Sequence, residues 1–561
     1  MQPNDRASSK FFTSLMNLLS AFPAVYEVLA EKELENKESY TFREVPDTII
    51  GLLDRLVMVN TRSKVHSLFN EEQSQVFGLR LLSVMTCCLD TLLLLECQYK
   101  IWDMLLQGQE HNKTTDGDGF IVDMLSIERN HILVRSYVIG GPSERRLPCR
   151  DLEKASDDPY PWPLFASFPV PKEYTTTISR PSAIKQDTDL SKLLSKSQSS
   201  TPSAANSKEW LQKCQTAYYK VMSIRHESVT NRGMYKHPPP SVANSKEWLQ
   251  KCQTAYCKVM SIRHESVTNR VITDLLDKVI THTLMVPQNE IFPLKPCKVT
   301  DSALKGQKLT DLQMLGIKMV IRYGQHLKLI SNSSDATENL TLLLKKCRYY
   351  FRTQQRSMDS EIRCLQGDYT GHDWFVSTVF LLMAGNRDKA WSFLHNFSSV
   401  LASGYLWMPR LHASTHLPVE LAVSGIHPVF STTGYNVELI LQTEVPHVYS
   451  AFRMSGYTPS QICQHWLRQC FWNYLDWQEI CHYMTICIVM GIDYQVYLCV
   501  AILRYLEPDI LLNTQQQKLQ VFLKENGIKR FCVGHHMEYM KELETKFRNT
   551  VLPDMQNLNK A

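Results

Sequence analysis

From Phe77 to Leu106 the chain is apolar on nearly every side of a helix, interrupted only by isolated polar residues. A helix of that kind must be covered all round, so it belongs in the middle of a fold and not on its surface. The pattern therefore predicts a central helix over 77–106 with other helices packed about it. A second apolar stretch, Thr485 to Leu506, carries Asp493, Gln495 and Arg504 within it. Leu81 to Cys97 is purer, with Asp90 inside. A bilayer span takes about 20 apolar residues and tolerates central charge poorly. Both stretches are expected to be buried helices, and no transmembrane segment is expected.

Helical spacing recurs along most of the chain. Leu275-Leu276, Val279-Ile280 and Leu284 share a face, as do Leu315, Met319-Val320 and Tyr323. Trp374-Phe375, Val379-Phe380 and Leu382-Met383 follow, and an aromatic-dense stretch runs from Trp466 to Trp477. Pro46 stands just ahead of Thr48–Leu53, where a helix is expected to start. The fold class is mainly α. Phe120-Ile121-Val122 and Ile132-Leu133-Val134 are short β-compatible runs closed by Gly140-Gly141-Pro142, and at most one small hairpin is expected near 119–140. The prolines of Asp157–Pro163 exclude helix there and predict an ordered loop. The expected organisation is a helical, solenoid-like segment over 1–110, an irregular connector over 111–171, a linker over 172–270 and an all-α domain over 271–561.

The linker holds a near-perfect duplication. Residues 206–232 recur as 244–270, differing only at Tyr219 against Cys257. Two nearly identical copies are too few for a repeat array. One copy is expected to pack through Trp210, Leu211, Tyr218 and Val221, and the other to be a passenger. The duplication also accounts for the charge. The 561 residues carry a net +5, but residues 207–270 alone carry +7. The rest is close to neutral, so a specific nucleic-acid partner is not expected.

Few motifs carry chemistry. Cys463-x-His465, Cys470 and Cys481-His482 lie within twenty residues and could bind zinc only if they converged, but the intervening residues are long-helix formers, so no metal is assigned. Asp116-Gly117-Asp118-Gly119 lacks the later ligands of a calcium loop and reads as a turn. Neither G-x-x-x-x-G-K-[ST] nor G-x-S-x-G occurs. His372-Asp373 sits at an expected helix start, where Asp373 serves as a cap. The N-terminus has no basic, then apolar, leader pattern, so the sixteen cysteines are expected to be reduced in a cytoplasmic protein.

Three long strings carry a resemblance: Gly371–Met383, Cys463–Tyr483 and Gly491–Cys499, with Gly140–Arg145 and Asp158–Pro163 beside them. They resemble the C-terminal part of the broad-minded family, whose members carry a TBC domain of the Rab GTPase-activating type. Against that family the chain reads as truncated, with an internal duplication. The resemblance implies an all-α TBC-like domain and a role in primary cilium assembly and Hedgehog signalling. It implies cell-cycle-related kinase as a partner, a Rab-type small GTPase as a second, and a place in the cytoplasm and at the cilium base.

Active TBC domains supply an Arg finger from I-x-x-D-x-x-R and a Gln finger from Y-x-Q-G. The first neutralises charge on the transferring phosphoryl group, and the second orients the attacking water. Here no Asp is followed three residues later by Arg. The one Y-x-Q is Tyr323-Gly324-Gln325, and where the Gln finger is expected the chain reads Tyr369-Thr370-Gly371-His372. The expectation is a pseudo-GAP, a non-catalytic scaffold with no catalytic, cofactor or metal residue. The alternative is a Rab GTPase-activating protein using atypical residues such as Arg352, Arg356 or Arg363.

Overall fold

The computed structural model describes residues 71–112, 123–137, 139–145, 301–304, 306–357, 371–398, 400–414, 428–514 and 516–556, with a few single positions besides. Every regular element among them is helical. In chain order they are α1 (Glu71–Met85), α2 (Leu89–Tyr99), α3 (Ile101–Glu110), α4 (Met124–Tyr137), α5 (Asp301–Leu304), α6 (Asp311–His326) and α7 (Ser333–Ser357). Then come α8 (Trp374–Leu382), α9 (Arg387–Phe397), α10 (Ala402–Leu406), α11 (Met408–Ser414), α12 (Pro428–Glu444) and α13 (Pro446–Ser455). The chain ends on α14 (Pro459–Arg468), α15 (Trp477–Val489), α16 (Tyr494–Tyr505), α17 (Glu507–Leu512), α18 (Gln516–Glu525), a short 3₁₀ turn and α19 (Met537–Gln556).

The apolar run at 77–106 is buried as expected, but it is not one helix. It is cut into α1, α2 and α3, and the α1–α2 break turns the chain by 119°. The α2–α3 break is at Lys100, which takes a left-handed conformation (φ 53°) and donates its N–H back to Glu96. Glu96 also accepts the N–H of Trp102 at 3.0 Å, so one side chain bridges the break. Among the described residues no single helix is long and apolar enough to cross a membrane; the bent α1–α2 pair meets that test only by length and composition. The stretch 485–506 is likewise divided between α15 and α16, at Gly491 (φ 135°).

The expected hairpin is corrected. Ile132-Leu133-Val134 lies inside α4, and residues 120–122 fall outside the described ones. The local reason is a reciprocal cap ahead of the β-branched run: Asp123 accepts the N–H of Ser126, and Ser126 Oγ accepts the N–H of Asp123 at 2.9 Å. Every residue of α4 from Ser126 to Tyr137 is buried, and the helix packs on both α1 and α3. Contact on all sides outweighs strand propensity.

One continuous core runs from Leu79 in α1 to Met555 in α19. The N-terminal helices enter it directly: α2 packs on α6, and α1 on α18. On the far side, α12 packs on α14, α16 and α19. Capping residues start the helices as their types demand. Thr310 and Thr458 form capping boxes with Gln313 and Gln461, and Asn386 accepts the N–H of Lys389.

Of the duplicated segment, the described residues belong to the second copy. Tyr256 is buried with its hydroxyl 3.1 Å from His482 Nδ1, and Gln253 donates to the carbonyl of Val489 at 2.8 Å. Both touch α15. Tyr256 occupies the repeat position of Tyr218. Trp210, Leu211, Tyr218 and Val221 lie outside the described residues, as do Pro46, the loop 157–163 and Asp116–Gly119.

Candidate functional site

The residues where a Gln finger is expected open α8, and they face inward. Gly371 and His372 are buried, and Asp373 is 8% exposed. Asp373 caps the helix: Oδ1 accepts the N–H of Val376 at 2.9 Å, and Oδ2 accepts the indole N–H of Trp407 at 2.7 Å. The cap expected from sequence is therefore present, with a second role as anchor for a buried tryptophan. Burial pushes the Asp373 carboxyl up to about 7, against the opposing pull of the Val376 and Trp407 donors.

That shift has a sign. The unfolded carboxyl ionises near its ordinary value, while the folded one holds its proton up to about 7. The native state thus binds more protons in between, and the contribution of Asp373 to stability is present at low pH and lost as pH rises towards 7. Asp373→Asn removes this ionisation and keeps a cap. The stability advantage of wild type over Asp373→Asn is expected to shrink between about pH 4 and pH 7, as read by urea denaturation at each pH. A difference that stays flat across that window would contradict it.

His372 lies against the backbone of α6. A Cβ placed on Gly316 would come within 2.4 Å of His372 Nδ1, so glycine is what lets helix and imidazole approach. His372 Nε2 lies 2.8 Å from Ser377 Oγ, and burial pushes the ring down to about 3, so it is neutral. Gln313 donates to the Gly371 carbonyl at 3.4 Å. Thus Gly371-His372-Asp373 is wired to α6, α8 and Trp407.

A tryptophan cluster sits behind the segment. Trp374 donates to Asp90 Oδ1 at 3.0 Å, and Trp472 donates to Thr378 Oγ1 at 2.8 Å. Trp374 and Trp472 rings lie 5.3 Å apart, and Trp472 meets Tyr323 edge-on at 5.2 Å. Asp90, read from sequence only as a charge within an apolar run, receives Trp374 on one oxygen and lies 3.5 Å from Arg468 Nε on the other. A charge inside an apolar helix is the signal of a buried partner, and here the partner lies 284 residues away.

The string Gly140–Arg145 docks on the loop between α14 and α15. Asn473 Oδ1 accepts the N–H of Gly140 at 3.1 Å, and Asp476 Oδ1 that of Ser143 at 2.8 Å. Glu144 accepts from three donors: Trp477 N at 2.7 Å, Gly141 N at 2.9 Å and the Tyr323 hydroxyl at 2.5 Å. A Cβ on Gly141 would stand 2.4 Å from the Asp476 Cα. The receiving loop is strained, for Cys470, Phe471 and Asn473 all have positive φ. Such conformations cost about 1–3 kcal/mol each and persist where the surroundings over-determine them.

The remaining sequence candidates are dispersed. His465 lies against the Tyr474 hydroxyl at 2.6 Å, and His482 against Tyr256. Cys463, Cys470 and Cys481 are buried, and burial pushes Cys470 and Cys481 up as thiols. Among the described residues no group of three or more His, Cys, Asp or Glu is placed to hold a metal ion. In Tyr323-Gly324-Gln325 the tyrosine is buried in α6 beneath Glu144, while Gln325 is exposed. Arg352 is half-buried on α7; the side chain of Arg356, and all of Arg363, fall outside the described residues.

Comparison with known proteins places these elements in a family. The family model described as the broad-minded protein Rab TBC domain matches residues 85–236 and 239–558, and the one described as the broad-minded protein central region matches residues 1–67. The protein broad-minded of Danio rerio is 45% identical over 561 residues, covering 100% of this chain and 39% of its own length. That of Mus musculus is 44% identical over 562 residues, covering 100% of this chain and 40% of its own. The chain thus spans about two fifths of the length of these curated relatives. No solved structure matches it. With its central-region segment, its Rab TBC-type helices and its likeness to both relatives along the whole length, the chain belongs to the broad-minded family.

Proposed function

We propose that the chain is a non-catalytic helical scaffold, a pseudo-Rab-GAP, that works in primary cilium assembly and Hedgehog signalling through a kinase partner of the cell-cycle-related type. The observation that carries the non-catalytic part is the use made of Gly371-His372-Asp373. A Gln finger must reach out of its own domain to a water on the partner's nucleotide. Here the corresponding residues point into the core, bound to Gln313, Ser377, Val376 and Trp407. Family membership supports a Rab-type GTPase as a second binding partner, held without being switched off. The cilium, its base and the kinase rest on the family resemblance.

A single-turnover GTP hydrolysis assay over a panel of Rab proteins tests the reading. An Arg finger is worth about 10³–10⁵ in rate. The expected result is acceleration below about tenfold, unchanged by Arg352→Ala. Larger acceleration that is lost on substitution of Arg352, Arg356 or Arg363 would establish the alternative, an atypical GTPase-activating protein. Affinity capture of the same chain reads the partners; recovery of neither kinase nor ciliary proteins would count against the scaffold role.

A further inference from the structure

The duplicated segment meets α15 through a few residues of its second copy. Gln250, Gln253, Thr254 and Tyr256 are helical, and Thr254 Oγ1 donates back to the Gln250 carbonyl at 2.9 Å. Gln253 and Tyr256, three residues apart, share a face of that helix. Tyr256 is 1% exposed, its ring 6.2 Å from that of His482 and its hydroxyl 3.1 Å from Nδ1. His482 is itself buried, and burial draws its ring down to about 4. The neutral ring offers one nitrogen as donor and one as acceptor. Gln253 Nε2 donates to the carbonyl of Val489 at 2.8 Å. Val489 is the last residue of α15, where helix carbonyls have no partner in their own helix. The segment thus serves α15 twice, with a hydrogen bond for a buried imidazole and a donor for its C-terminal end.

The residues that make these contacts occur twice in the chain. Gln215 and Tyr218 stand 38 residues ahead of Gln253 and Tyr256, and residues 206–218 are identical to 244–256. The single difference, Tyr219 against Cys257, comes after them. Specificity is a difference between two binding free energies, and identical contact residues contribute nothing to it. Chain length adds little discrimination. The cost of closing a loop grows only with the logarithm of its length, and both copies lie tens of residues from Arg145 and from Asp301.

We propose that residues 212–218 and residues 250–256 are alternative occupants of one seat on α15, formed by His482 and the Val489 carbonyl, and that they exchange there within a single chain. The glutamine and the tyrosine make the same two hydrogen bonds in either seating. What changes is the chain on either side. Seating the second copy leaves the repeat unit upstream of α15's partner segment, and seating the first places it downstream. Each exchange therefore transfers 38 residues from one connector to the other, giving two divisions of the stretch between Arg145 and Asp301.

Copy-specific cross-linking reads the seat. In the full chain Ile488, half-buried next to Val489, is replaced by the photo-reactive p-benzoylphenylalanine, and the irradiated protein is digested with trypsin. Cleavage after lysine releases residues 214–220 from the first copy and 252–258 from the second, and Tyr219 against Cys257 gives them different masses. Both cross-linked peptides are expected, in amounts within about tenfold of each other. Tyr256→Phe removes the hydroxyl that meets His482. It is expected to move the ratio towards the first copy by about five- to tenfold, the worth of one buried hydrogen bond. Tyr218→Phe should move it as far the other way, and the double variant should restore the original ratio. Melting temperatures without the photo-probe make the test independent of how the substituted position 488 packs. With two occupants available, each single variant should lose about a quarter of what the double variant loses. Cross-links to the second copy alone, in wild type and Tyr256→Phe alike, overturn the proposal. So do cross-links to neither copy, a ratio indifferent to both substitutions, a cross-link joining two chains, or a Tyr256→Phe protein that loses as much stability as the double variant.

Discussion

Replacing Trp472 by alanine is expected to lower the unfolding free energy by about 3–5 kcal/mol, the usual range for removing a large aromatic side chain from a close-packed core. Trp472 is fully buried. It touches Tyr323 and Trp374 ring to ring, and its N–H is the partner of Thr378 Oγ1 in α8. Truncation therefore opens a cavity, removes two aromatic pairs and leaves a buried hydroxyl with one partner fewer. Trp472→Phe keeps most of the volume and is expected to lose about half as much. Denaturant midpoints with unchanged m-values report both. A loss below about 1 kcal/mol for the alanine variant would mean that the core can collapse around this position.

Removing Glu144 is expected to be nearly as damaging, by a different route. Glu144→Ala leaves the N–H groups of Gly141 and Trp477 and the Tyr323 hydroxyl without their acceptor. Each orphaned buried group costs about 1–3 kcal/mol. The sum is expected to reach about 3–5 kcal/mol after partial access of water. Glu144→Gln keeps one acceptor oxygen and should fall between. Hydrogen exchange gives the sharper test. In Glu144→Ala, amides at 139–145 and 470–477 should exchange faster than those of α12 and α16, because only the seam has lost its acceptor. Uniform acceleration would show that Glu144 supports the whole fold and not the seam.

The sequence made some of this legible and hid the rest, for physical reasons. Burial of most apolar residues in 77–106 and 485–506 followed from composition, because all-round apolarity has one solution in water. The breaks at Thr86–Cys88 and Lys100 did not, since a left-handed lysine leaves no mark in a residue pattern. Asp373 was legible as a cap because capping is local, but its bond to Trp407, 34 residues on, was not. Ile132-Leu133-Val134 misled because β-branched residues favour strands only until tertiary contact decides. The resemblance to TBC domains located the Gly371–Asp373 segment, and only the packing against Gly316 and Trp407 showed which way it faces.

The seam between Gly140–Arg145 and the 473–477 loop also sets an order of events during synthesis. Gly140, Ser143 and Glu144 find their partners 333 residues later in the chain. At about 5–20 residues per second, the N-terminal helices wait roughly 15–70 s after leaving the ribosome before the groups that complete them exist. Throughout that interval α2 and α4 have apolar faces, Gly140 and Ser143 have open N–H groups, and Glu144 has no donor to meet. Synthesis of the α14–α15 loop supplies these missing partners and closes the seam.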